Sequence, residues 1–214
     1  MSSVEVSEGR SSQLRRWSWV GGVVFALATL GGLFMLGTPD SDAADSEWVA
    51  YFGDSGNRAQ VMGTAYLWVV AALGFLLFAW GLSERLRPSD RALASFMLLP
   101  ATLFAVALAV AGIAVASVAG AVEFGDSPVP SGELSRMLEQ LGIATLLIPG
   151  MLSAAAFAAL VGLGATREGS MPRWIGVSAF VCAVLLLFSP LFFPAAAVLV
   201  WVLAVSVHQA TSAN

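Results

Sequence analysis

Five uncharged stretches, 17–39, 59–83, 92–122, 140–166 and 174–207, set the rhythm of the chain, and its charged residues all lie in the segments between and before them. A helix that crosses a bilayer needs about 20 consecutive, mostly apolar residues, because the hydrocarbon core is about 30 Å thick. Each of the first four stretches fits one such helix. The fifth does not: at 1.5 Å per residue it would be about 51 Å long as a single helix. Near its middle stands the segment FSPLFFP, with Pro190 and Pro194. A proline inside a helix removes an amide donor and clashes with the preceding turn. The stretch therefore divides into two short helices. The pattern predicts spans at about 17–37, 60–82, 94–121, 141–164, 174–189 and 192–207. The last two are short for full crossings, so a re-entrant or interfacial hairpin is the alternative for them.

The fold class that follows is an all-α integral membrane protein, a polytopic bundle of six transmembrane helices. Residues 1–14 are polar and predicted to be a disordered tail. Residues 15–208 form one transmembrane domain, and 209–214 a short C-terminal tail. Two connections carry helix signals of their own. In EWVAYFGDSGNRAQ, from Glu47 to Gln60, Ser46 is placed to cap a short helix whose Glu47 suits the positive end of the helix dipole. In GELSRMLEQLG, Ser131 is placed to cap a helix with Leu134, Met137, Leu138 and Leu141 on one face. Both read as short amphipathic segments that lie on the outer interface or extend a spanning helix outward. The tetrapeptide FGDS occurs in both connections, at 52–55 and 124–127, a weak hint of duplication.

Composition agrees with the pattern: 58% of the residues are apolar and only 11% charged, against about 25% charged in a soluble domain. Mean hydropathy is +0.83. Charge placement adds an orientation. Arg10, Arg15, Arg16, Arg85, Arg87, Arg91, Arg167 and Arg173 fall on one side, and only Arg58 and Arg136 on the other. Retention of positive charge in the cytoplasm places the N-terminus inside, and an even number of spans brings the C-terminus back. Tryptophans 17, 19, 68, 80, 174 and 201 fit interfacial belts. Arg15-Arg16 before the first run and Ala43-Ala44 after it resemble a signal peptide. The run exceeds the usual 7–15-residue signal core, which favours a retained anchor. The basic residues are all arginine, which reads as GC-rich bacterial coding and a bacterial plasma membrane. No basic patch suggests nucleic acid; the expected partners are the lipid bilayer and a membrane protein or a second copy of the chain.

Candidate chemistry is sparse. No ionisable residue stands in the middle of a predicted span, where one would mark a transport or relay site. Catalytic and nucleotide-binding motifs are absent. The single Cys182 and single His208 cannot supply a zinc site by themselves, and no cofactor is expected. Two features remain. Small residues four apart, Gly112, Ala116 and Gly120 in the third run and Gly150, Ala154, Ala158 and Gly162 in the fourth, predict smooth faces on which helices approach closely; the third and fourth helices are expected to pack on each other. Trp48, Tyr51, Arg58 and Arg136 form a candidate outer docking surface. The reading favoured is an accessory or structural membrane protein rather than an enzyme. One alternative is a transporter of a weakly polar solute, with a cavity at Pro149-Gly150 lined by Thr145, Ser153 or Thr102. The other is a lipid-modifying enzyme using Glu84, Arg85, Arg87, Asp90 and Arg91.

Overall fold

The computed structural model describes residues 3–125, 127–168, 171–191 and 195–211, and among them the regular structure is entirely helical. In chain order the helices are α1 (Ser3–Met35), α2 (Asp45–Gly53), α3 (Ser55–Leu86), α4 (Arg91–Phe96), α5 (Leu98–Gly125), α6 (Gly132–Thr145), α7 (Met151–Glu168), α8 (Arg173–Leu186) and α9 (Ala196–Thr211). A π-helical turn, Leu146–Gly150, joins α6 to α7. Four segments are long and apolar enough to cross a membrane: Trp17–Met35, Ser55–Leu86, Arg91–Gly125 and Gly132–Thr166. Helices α8 and α9 are apolar but shorter. The chain is a helical membrane bundle. Its perimeter fits that solvent, because Leu27, Leu73, Val106, Ile113 and Val184 are each more than half exposed, as lipid-facing side chains are.

Local chemistry explains the ends and breaks. Pro100 lies in the first turn of α5, where no amide is required, and its ring disfavours a continuous helix through Phe96; α4 and α5 meet at Met97. Pro149 acts in the same way on Thr145, and the chain answers with the wider π turn rather than a break. Asp54 caps α3 by accepting from the amide of Asn57 at 2.9 Å. Ser131 caps α6, as its position predicts. The predicted cap at Ser46 is not used. α2 begins two residues earlier than that cap implies, at Asp45, with Asp45 and Glu47 both in the first turn, and Ala44 makes no side-chain cap. α1 is continuous from Ser3 and so takes in residues 3–14 of the stretch expected to be a tail. Residues 212–214 of the expected C-terminal tail lie outside the described residues.

The core is built around α3, which packs on α1 along one face and on α5 along another. Phe75 of α3 is its centre, with ring centroids 4.6 Å from Phe104, 5.2 Å from Phe25 and 5.3 Å from Phe157. Trp68 and Trp201, expected at an interface, are instead buried at 1% and 5% exposure, while Trp17 and Trp174 stay exposed. Both buried indoles fill space between helices that a single-helix hydropathy argument cannot see.

Helices α8 and α9 form a hairpin against the rest. α8 lies on α7, where the Phe180 ring covers Gly162. α9 lies on α1, with Ser18 donating to Gln209 at 3.1 Å and Ser206 seated over Gly22. The observed helices have 14 and 16 residues, about 21 and 24 Å. The Ser189 hydroxyl in the turn between them donates to the Leu147 carbonyl at 2.9 Å. This contact fixes the depth of the turn. Leu147 lies about 12 Å along the α6 run from Glu139, at 1.5 Å per residue. Glu139 accepts from Thr38, just past the end of α1. Ser189 therefore lies about 12 Å short of the end of the bundle marked by Thr38 and Glu139, at 1.5 Å per residue along α6. Pro194 lies outside the described residues.

Candidate functional site

The end of the bundle that carries Thr38 and Glu139 also carries α2, most of the acidic residues, Arg58 and Arg136; it is called the acidic face below. Its side chains interlock. Arg58 donates from Nε to Glu123 at 2.9 Å, and from one terminal nitrogen to the carbonyls of Phe52 and Gly53, both at 2.9 Å. It thus caps the last carbonyls of α2 and ties them to the end of α5. Arg136 of α6 donates to the Ala43 carbonyl at 3.0 Å and pairs with Asp45 at the start of α2. Gly132 presses against the backbone of Asp45, where no Cβ fits. Helix α2 is held at both ends.

The four residues of the candidate docking surface all lie on this face, Trp48 buried and Tyr51, Arg58 and Arg136 partly exposed. Trp48 is fully buried, and its ring lies 6.4 Å from that of Phe52. Tyr51 packs edge-on against Phe52 and is half-buried. Burial, together with the charge of nearby Glu139, pushes its phenol above the ordinary value of 10.0. Arg58 donates to α2 and to Glu123 of α5, and Arg136 to Ala43 and to Asp45 of α2. The FGDS repeat does not produce equivalent sites: Phe52 is buried, Phe124 is exposed, and Asp126 lies outside the described residues.

The small-residue faces also pack differently from the expectation. Gly112 sits on α3, with its missing Cβ position 3.3 Å from the Cα of Ala65. Ala116 lines a shallow groove on the same α3–α5 surface, and Gly120 meets nothing within 4 Å. In the fourth run Gly150 does meet α5, at Ala107; Ala154 and Ala158 are buried; Gly162 serves α8. The third and fourth runs pack together, but through Gly142, whose Cβ position lies 2.8 Å from the Ala111 carbonyl. A closer backbone approach between long helices involves none of the predicted positions: Gly21 of α1 lies against Gly74 of α3, each with its Cβ position 2.6–2.7 Å from the other's carbonyl oxygen. The Gly21-Gly22 pair inside an apolar run is the signal that could have found it.

Between the tip of the hairpin and the acidic face lies a cavity of about 320 Å³. Its walls come from α1 (Thr29, Leu33, Leu36), α3 (Trp68), α5 (Phe104, Leu108), the π turn (Leu146, Leu147) and the start of α9 (Ala195, Ala196, Leu199). The lining is almost wholly apolar. Thr29 donates its hydroxyl to the Phe25 carbonyl at 2.7 Å. The Trp68 indole nitrogen lies over Gly32 and has no partner among the described residues. Thr102, Thr145 and Ser153, the polar lining expected of a solute path at Pro149-Gly150, donate to carbonyls of their own helices and stay outside this cavity. Among the described residues, no group of three or more His, Cys, Asp or Glu side chains is placed to hold a metal ion. The dense Glu84–Arg91 segment contains an ion pair between Arg87 and Glu84 at 3.0 Å and the Asp90 cap on the amide of Leu93. None of the known protein families, curated proteins and solved structures compared with the chain matches it.

Proposed function

We propose that this chain is an accessory protein of a bacterial plasma membrane that acts by binding other membrane components, without catalysis or solute transport of its own. The reading takes the N- and C-termini to be cytoplasmic and the acidic face to be outside. The arginine count supports that orientation, and both six crossings and four crossings with a dipping hairpin are compatible with it. The observation that carries the functional reading is the use made of the polar side chains. The ion pairs described join the acidic-face helices to one another, or lie at the end of α3. The hydroxyls of Thr29, Thr102, Thr145, Ser153 and Ser206 satisfy carbonyls of their own helices. A transport path or a catalytic centre needs polar groups directed at a substrate; the hydroxyls and ion pairs named here are directed at the fold.

The test is purification of the tagged protein from its native membrane in mild detergent, with identification and stoichiometry of what co-elutes, alongside flux measurements in vesicles that contain the purified protein alone. A reproducible, near-stoichiometric membrane component and silent vesicles are expected. Saturable flux of a small solute through the protein alone would overturn the reading.

A further inference from the structure

We propose that the cavity between the hairpin tip and the acidic face binds one acyl chain of a membrane phospholipid. Three observations converge on it. The first is depth. Ser189, pinned beside Leu147, lies about 12 Å below Glu139, at 1.5 Å per residue along α6. The cavity lies between that depth and the acidic face, with walls from α1, the π turn and the start of α9. The second is chemistry. Leu33, Leu36, Leu146, Leu147 and Leu199 make an apolar wall without a charged group. A cavity lined in this way does not retain water, which needs two to four polar partners. Left empty, it would forfeit the dispersion contacts of every atom around it. The third is size and access. An apolar cavity of ~150 Å³ accommodates benzene, so about 320 Å³ takes roughly twice as many carbon atoms, the distal part of one acyl chain. The walls include the exposed side chains of Leu30, Leu33 and Ala196, so the cavity reaches the lipid-facing perimeter and a chain can enter sideways from the leaflet on the acidic side.

This site goes beyond the accessory reading and stands whether or not a protein partner exists. It separates two kinds of lipid contact. Lipids around any membrane protein touch Leu103 and Ile113, which are 53% and 62% exposed. Thr29 and Met151 also belong to the cavity wall but are only 8% and 5% exposed, so a lipid chain touches them only from inside.

The experiment reconstitutes the full chain in phosphatidylethanolamine–phosphatidylglycerol vesicles doped with a phosphatidylglycerol that carries a diazirine near the middle of one acyl chain. After illumination, adducts are mapped by peptide mass spectrometry. Adducts at Thr29 or Met151, in addition to perimeter residues, are expected. The variant Ala196→Phe, which fills the mouth at the hairpin tip, is expected to lose the inner adducts and keep those at Leu103 and Ile113. Leu33→Trp, placed on the opposite wall, provides the same test should the first variant not fold. Labelling confined to the perimeter of the wild-type protein overturns the proposal, as do inner adducts that persist undiminished in a folded, filled variant.

Discussion

Replacing Phe75 with alanine tests the centre of the bundle. Its ring is fully buried and lies 4.6, 5.2 and 5.3 Å from those of Phe104, Phe25 and Phe157. In a water-soluble protein a Phe→Ala change in the core costs about 3–5 kcal/mol, part of it the lost transfer of apolar surface from water. In a bilayer that part shrinks, because a separated helix already has lipid around its side chains. What remains is the void and the ring contacts. A vacated volume on the order of 100 Å³ at ~24 cal/mol per Å³ gives about 2.4 kcal/mol. The aromatic pairs add about 1 kcal/mol, less than the sum of separate pairs because they share one ring. The expected loss is therefore about 3–4 kcal/mol, read as a lowered unfolding midpoint when mixed micelles are titrated with a denaturing detergent and tryptophan fluorescence is followed. Phe96→Ala is the comparison: Phe96 is 58% exposed on the perimeter, so lipid replaces what the ring loses and about 0.5 kcal/mol is expected. Equal shifts for the two variants would refute both the placement of Phe75 and the argument that packing, not hydropathy, holds the helices together.

Three further outcomes follow from the contacts described. Gly74→Val drives a side chain into the Gly21 carbonyl and should cost more than the ~1–3 kcal/mol of ordinary overpacking, whereas Gly120→Val, with open space around it, should leave the midpoint within ~0.5 kcal/mol; the same denaturing titration decides. Arg58→Ala should destabilise more than Glu123→Ala, by about 1 kcal/mol, because Arg58 also caps two carbonyls of α2, and Arg58→Lys should not restore the difference, since an ammonium lacks the guanidinium fork; a double-mutant cycle measures it. Tyr51 holds its proton more tightly when folded than when unfolded. Its contribution is therefore constant below the unfolded pKa of about 10 and declines as pH rises from there toward the folded value. Unfolding midpoints measured across that window should fall less steeply in Tyr51→Phe than in wild type.

How far the sequence carried these features depends on the range of the interaction. Runs are local and caps partly so, and they were largely legible: the four long apolar segments and Ser131 as a cap residue follow from hydropathy, hydrogen bonding and sterics within one or two turns. The neighbour of each face was not legible. Gly112 and Gly162 carry the same small-residue signal, yet one receives α3 and the other the Phe180 ring of α8. Nothing in a helix's own sequence says which helix lies against it. The arginines of the acidic face were visible as charges outside the apolar runs, but whether they point to solvent or to a loop depends on where residues 43–53 fold back.

Helix α6 shows why exposure itself must be read differently in this chain. Its sequence has an apolar stripe, Leu134, Met137 and Leu141, and the rule for soluble helices would turn that stripe inward. The structure turns it outward, to 47%, 60% and 57% exposure, and buries Gly132, Ser135, Glu139 and Gly142 instead. Lipid and interior are equally apolar, so the side that packs is chosen by closeness of approach and by polar partners, not by hydrophobicity. Gly142 approaches the Ala111 carbonyl, and Glu139 finds the Thr38 hydroxyl. The same reasoning locates the cavity. Leucines 33, 36, 146, 147 and 199 are bulky and cannot bring helices into backbone contact, and they gather where α1, the π turn and α9 stay apart. Small residues mark where this bundle is closed, and the leucines ring the place where it is open.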